Sequence, residues 1–195
     1  MHQYFIIHKP YNYLSQFTKE VPEHLTLADL GDFPPDVYPV GRLDKDSEGL
    51  LILTNDKKLN HKLLNPAFQH PRTYWVQVDG APEPAAVEQL RRGVAIKVNK
   101  KIHQTLPAKV RILDPSPAIE ERDPPVRFRA NIPTTWLELT LTEGKNRQVR
   151  RMCAKVGYPV LRLLRVAIGA LELGTLAHGG MRELSREAVY DALGI

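Results

Sequence analysis

Three acids, two cations and two glycines fall within nine residues at Gly41-Arg42-Leu43-Asp44-Lys45-Asp46-Ser47-Glu48-Gly49. The apolar run Leu50-Leu51-Ile52-Leu53 follows, then Thr54-Asn55-Asp56, which together read as a buried strand stopping at a turn. A charged loop fixed to a buried strand is held rigidly enough to do chemistry. Three chemistries compete for it: a solvated turn, a calcium loop, and an aspartate acting as nucleophile. Asp44, Asp46, Glu48 and Gly49 do fall on positions 1, 3, 5 and 6 of an EF-hand loop. Position 12 would then be Asn55, where a bidentate Glu is needed, and the flanks are strand-like. The calcium reading fails.

A second group lies further along. Between Lys145 and Arg165 there are seven cations (Lys145, Arg147, Arg150, Arg151, Lys155, Arg162 and Arg165) and no acid. The net charge is +5, so removing those seven leaves the remainder at −2. A local excess of this kind is the footprint of a polyanion binder, although a basic surface helix can also be merely solvated. Tyr74, in Arg72-Thr73-Tyr74, reads first as a sheet-packing aromatic. Cys153 is the single cysteine, which rules out an intrachain disulfide and suits a reducing cytosol. The seven histidines are scattered without ligand-like spacing, so nothing here predicts zinc. There is no Gly-rich phosphate loop, and no apolar run approaches a membrane span. A cytoplasmic protein is expected.

These groups need elements to hold them. Residues 3–10 read as a strand ended by Pro10, and 26–31 as a short helix with a Gly stop. Asp56 can cap a helix over 57–64. A strand over 72–80 precedes a helix over 84–92 with Pro near its start and Gly93 at its end. Residues 106–113 and 135–142 read as strands, separated by a Pro-rich surface excursion over 114–133. Val149, Met152, Cys153 and Val156 make one apolar helical stripe, with Arg147, Arg150, Arg151 and Lys155 off it. Residues 160–173 read as one strand, and Ser185 can cap a closing helix to Leu193. With 195 residues the chain can bury a core as one domain, 1–195, without disulfides or structural metal.

Gly41-Arg42-Leu43-Asp44 with Ser47 and Gly49-Leu50-Leu51 resembles the active-site motif of the pseudouridine synthases, with Ser47 where that family usually has Thr. The run from Gly144 to Met152 and Leu161-Arg162-Leu163-Leu164-Arg165 resemble later signatures of the same family, in the same order. The Arg72-Thr73-Tyr74 triplet resembles its Lys-x-Tyr element, and the strand ending in Lys9-Pro10 its opening one, with His8 where Asn is usual. The resemblance implies an α+β fold: a mixed, mainly antiparallel sheet bisected by an active-site cleft, in two lobes. It implies Asp44 as the catalytic carboxylate, Arg165 beside it, Tyr74 stacked on the target base, and Arg42 helping to displace that base. Lys145, Arg147, Arg150, Arg151 and Lys155 would grip RNA. Residues 124–127 and 132–136 resemble the branch acting on the large ribosomal subunit, which implies one uridine of 23S rRNA as substrate. The chain would act as a monomer, without metal, organic cofactor, membrane or an N-terminal accessory RNA-binding domain. The rival from another class is a basic RNA-binding protein without catalysis, which leaves Asp44 and Tyr74 without a task.

Overall fold

The computed structural model describes residues 2–127 and 129–195. In chain order the strands and helices are β1 (Tyr4–Lys9), β2 (Tyr13–Leu14), β3 (Leu25–Thr26), β4 (Tyr38–Pro39), β5 (Glu48–Thr54) and α1 (Lys57–Leu64). Then come β6 (Arg72–Asp79), α2 (Pro84–Arg92), β7 (Ala95–Val98), β8 (Lys101–Gln104), β9 (Lys109–Ile112), β10 (Thr134–Leu141) and α3 (Gln148–Lys155). The chain closes with β11 (Val160–Ile168), β12 (Leu171–Glu172), β13 (Met181–Leu184) and α4 (Arg186–Leu193). The residues separate into two compact units, one running up to His70 and resuming at Leu164–Ile195, the other Pro71–Leu163.

In the first unit β5 is paired antiparallel with β1 on one side. Its other side is shared: β11 pairs parallel at Glu48 and Gly49, and β4 antiparallel at Leu53 and Thr54. Every residue of β1 and β5 is buried. Alternation explains why both faces are apolar. Tyr4, Ile6, Leu50 and Ile52 enter one cluster with Leu59 and Leu63 of α1 and Val189, Tyr190 and Leu193 of α4. Phe5, Ile7, Leu51 and Leu53 enter a second with Leu27, Val37 and Leu43. A strand covered on both faces reads as a continuous hydrophobic run rather than an alternating one.

The second unit pairs β6 with β10 antiparallel over eight residues, from Arg72↔Leu141 to Asp79↔Thr134, and β10 with β9. Its core joins Val76, Val78, Leu137 and Leu139 to Val87 and Leu90 of α2 and Val149, Met152 and Cys153 of α3. Burial pushes the Cys153 thiol up to about 12, which leaves it a packing group. No helix among the described residues is long and apolar enough to cross a membrane.

Several sequence expectations need correction. The strand read over 160–173 is broken after Ile168, because Gly169 takes φ +59° and packs where a Cβ would lie 2.9 Å from the Ala192 carbonyl. The helix read over 26–31 is one 3-10 turn, Leu27–Asp29. The β7–β8 hairpin and β13 escaped sequence reading, since their polar, mostly exposed residues carry little hydrophobic pattern. The excursion over 114–133 contains no strand or helix among its described residues; Phe128 lies outside them.

Asp56 does cap α1, accepting from the Lys58 and Leu59 amides, and it also accepts from the hydroxyls of Tyr4 and Tyr190 at 2.8 and 2.7 Å. Burial would raise this carboxyl, but the bonds from Tyr190, Tyr4 and the two amides overrule it and hold it at about 2. A carboxyl depressed on folding stabilises fully above its unfolded value near 4 and loses that contribution as pH falls through about 2. Tyr190→Phe keeps the ring and its stacking under Arg186. It should cost about 1.5–3 kcal/mol at pH 7. The deficit relative to wild type should shrink as denaturant titrations are moved from pH 4 toward pH 2, and a pH-independent deficit would mean that the bond to the charged carboxylate is not its source.

Candidate active site

The loop before β5 is fastened at both ends. Leu43 is buried in the apolar cluster on one face of β5. The Ser15 hydroxyl accepts from the Leu43 amide at 3.0 Å and donates to the Leu43 carbonyl at 2.8 Å. The Ser47 amide donates to the Asp44 carbonyl, closing a turn, and the Asn12 amide donates to the Lys45 carbonyl. Asp44 itself is half-buried, while Arg42 is exposed and donates to Gln16. The carboxylate is therefore presented from backbone tied at Leu43, Lys45 and Ser47.

Arg165 reaches the same end of β5 through the parallel pairing, where it lies opposite Gly49. The two backbones approach so closely that a Cβ on Gly49, which has φ +106°, would lie 2.3 Å from the Arg165 carbonyl oxygen. Only glycine fits there. Arg165 is buried, and its Nε donates to the Leu50 carbonyl at 2.9 Å. Lys9, opposite Gly49 on β1, is wholly buried and donates to the carbonyls of Pro10 and Tyr13. Burial pushes its ammonium down to about 7, against the pull of Glu48, Asp46 and Asp44. The first unit thus carries Arg42 and Asp44 on the loop that leads into β5, and Arg165 opposite Gly49 on β11.

The remaining sequence candidates lie in the second unit. Tyr74 is half-buried on β6, opposite Leu139, and packs against the unit's core. Lys145, Arg147 and Lys155 are exposed, whereas Arg150 and Arg151 are partly buried. Arg151 braces the turn before α3, donating to the Asn146 carbonyl and side chain and to the Lys97 carbonyl of β7. Arg162, counted in the basic segment, is buried and donates to the Glu120 carbonyl. With Arg165 also buried, the outward-facing excess is smaller than the sequence count.

Sequence reading missed the residues that shape that turn. Gln148 is buried, accepts from the Lys145 amide and donates to Glu143. Glu143 also accepts from the Leu106 amide and bonds His103. Burial would raise the Glu143 carboxyl, but the Leu106 amide, His103 and Gln148 hold it below its ordinary range. The signal available in the sequence was an uncharged Gln148 in a run whose other long polar side chains are cations.

The class of protein to which this chain belongs is identified by sequence comparison. Residues 3–155 match the profile of RNA pseudouridylate synthases, and the chain belongs to that family. It is 55% identical over 173 residues to ribosomal large subunit pseudouridine synthase E of Xanthomonas axonopodis pv. citri (strain 306), covering 88% of each chain. It is 50% identical over 188 residues to the protein of that name from Xanthomonas campestris pv. campestris, covering 96% of this chain and 98% of the relative. A solved pseudouridylate synthase structure superposes over 98% of this chain and 74% of its own, with TM-score 0.79 and 27% identity. The α+β synthase fold expected from the sequence is the one observed.

Ser15→Ala should leave the Leu43 amide and carbonyl without their buried partner and cost about 1–3 kcal/mol. A lowered denaturation midpoint, with faster amide exchange across 43–47, is the expected outcome. Unchanged exchange in that loop would show that the hydroxyl does not hold it.

Proposed function

We propose that this protein isomerises one uridine of 23S rRNA to pseudouridine, with Asp44 as the catalytic carboxylate. The observation that carries this reading is the 50–55% identity to the two Xanthomonas synthases over 88–98% of both chains. The reaction breaks the C1′–N1 bond, turns the base and joins C1′ to C5; C5 then loses a proton and N1 gains one. Atoms and electrons balance without a co-substrate. An ionised carboxylate can add as nucleophile or stabilise positive charge at C1′, and Asp is ionised at neutral pH. Arg165, buried opposite Gly49, is the second residue assigned to this site. The uridine must leave its stack, and Tyr74 supplies an aromatic face for the unstacked base. Arg42 assists the displacement, and Lys145, Arg147, Arg150 and Lys155 engage flanking phosphates, with Arg151 also shaping their turn. The protein works as a cytoplasmic monomer on the ribosomal large subunit or its precursor.

Asp44→Asn should fold and bind RNA, since removing a negative charge from a polyanion site does not weaken it Coulombically. It should lose essentially all isomerisation, because an amide is neither a nucleophile nor an anion. Pseudouridine mapping of rRNA, in cells lacking the protein and complemented with either form, should show one 23S position restored by wild type alone. Full rescue by the variant would remove Asp44 from the chemistry; no altered position would leave a non-catalytic RNA binder or another RNA target.

Arg147 and Lys155 are the cleanest probes of RNA grip, being exposed at the two ends of α3. Replacing both with Gln should flatten the log–log salt dependence of RNA binding by roughly 0.7–1 for each phosphate no longer neutralised. An unchanged slope would turn α3 away from the RNA.

A further inference from the structure

The seven histidines are scattered in sequence, but the fold brings two of them to one carboxylate. His8 on β1, Glu48 at the start of β5 and His178 in the turn before β13 each place a ligand atom within 4.8 Å of the others. We propose that these three residues form a binding site for a borderline transition-metal ion of the Zn²⁺ class.

Sheet geometry creates the site. His8 lies opposite Leu50, and Glu48 is two residues from Leu50 on the same strand, so alternation sends both side chains to one face. His178 is delivered by the turn: the Gly180 amide donates to the Ala177 carbonyl, the Gly179 amide to the His8 carbonyl, and the His8 amide to the Gly180 carbonyl. The turn carrying one imidazole is thereby fastened to the backbone of the other. It also needs Gly180, where a Cβ would lie 2.9 Å from the Ala177 oxygen.

The donor chemistry fits. His8 Nδ1 lies 2.7 Å from the Leu176 carbonyl, which can only accept, so Nδ1 carries the proton. In the neutral ring the lone pair therefore sits on Nε2, which is buried. An imidazole oriented by a backbone carbonyl in this way is the usual arrangement of a metal-binding histidine. His178 Nε2 and Glu48 Oε1 are 3.5 Å apart. Two ligands about 2.0–2.2 Å from one tetrahedral ion stand about 3.3–3.6 Å apart. The two rings meet at 82° with centroids 4.5 Å apart. Two nitrogens and one carboxylate suit zinc, leaving a position for water, and disfavour the all-oxygen cations Mg²⁺ and Ca²⁺.

Lys9 does not occupy this place, because alternation turns it to the opposite face of β1, where it bonds Pro10 and Tyr13. The His178 side chain retains 22% exposure, which gives an ion a route in. Bound there, the ion would tie β1, β5 and the 177–180 turn together beneath the loop that ends at Glu48. That is a positioning role and is independent of which RNA the protein modifies.

The test uses the full chain, stripped with a chelator and titrated with ZnCl₂ in calorimetry and thermal unfolding, with MgCl₂ as control. One Zn²⁺ per chain, a raised Tm and no response to Mg²⁺ are expected. CoCl₂ should give the intense visible absorption of a four-coordinate site, a readout that needs no variant. His178→Asn, in a partly exposed turn, should match the metal-free wild type in circular dichroism and Tm. Its Zn²⁺ affinity should fall by more than the roughly 10–100-fold that altering an outer partner costs. His103→Ala, removing a histidine that pairs with Glu143 elsewhere, should change nothing. No saturable Zn²⁺ binding, a six-coordinate cobalt spectrum, or undiminished affinity in His178→Asn would overturn the site and leave His178 and Glu48 as a simple ion pair.

Discussion

The close approach of β5 and β11 at Gly49 and Arg165 is the constraint on which the rest depends. It leaves no room for a side chain at position 49. It also sets Arg165 at the strand end from which the Asp44 loop departs. Because the pairing is parallel, the chain must make a crossover between the two strands. That crossover is long: it contains α1 and nearly all of the second unit, Pro71–Leu163, before β11 returns to the first. A local backbone contact thus joins residues more than a hundred positions apart.

Around that contact the first unit buries an unusual set of polar groups for an apolar strand pair. His8 and Lys9 at the end of β1, Glu48 at the start of β5 and Arg165 within β11 are all buried. Burying charge without partners is costly, so such groups persist only where polar neighbours compensate them. Lys9 meets two carbonyls and Arg165 a third, while Glu48 faces His178. The apolar clusters make the strands rigid, and these polar residues lie where the loop carrying Asp44 joins them.

The second unit uses its cations in two ways. Arg151 and Arg162 donate to backbone carbonyls, where a planar guanidinium with several donors serves better than an ammonium would. Lys145, Arg147 and Lys155 remain exposed on and before α3. Buried Gln148, paired with the partly buried Glu143, holds the turn between β10 and α3, so the exposed cations project from ordered backbone.

Most elements were legible in the sequence because local pattern and spacing encode them, whereas the family and the Asp44, Tyr74 and Arg165 candidates came from the resemblance of short motifs. Asp56 before α1 and Ser185 before α4 announce caps whose partners are two or three residues away. The continuous apolar run of β5 announces a strand buried on both faces. Only the tertiary structure decided that Arg162 points inward, that Arg151 braces a hairpin, and that residues 160–173 break at Gly169. Charge counts along a chain do not report direction, and a hairpin with exposed polar strands has little hydrophobic period to read. The meeting of His8, Glu48 and His178 is the clearest case. They stand 40 and 130 residues apart in the chain, and only β-sheet register and a turn fastened to β1 convert that separation into a common centre.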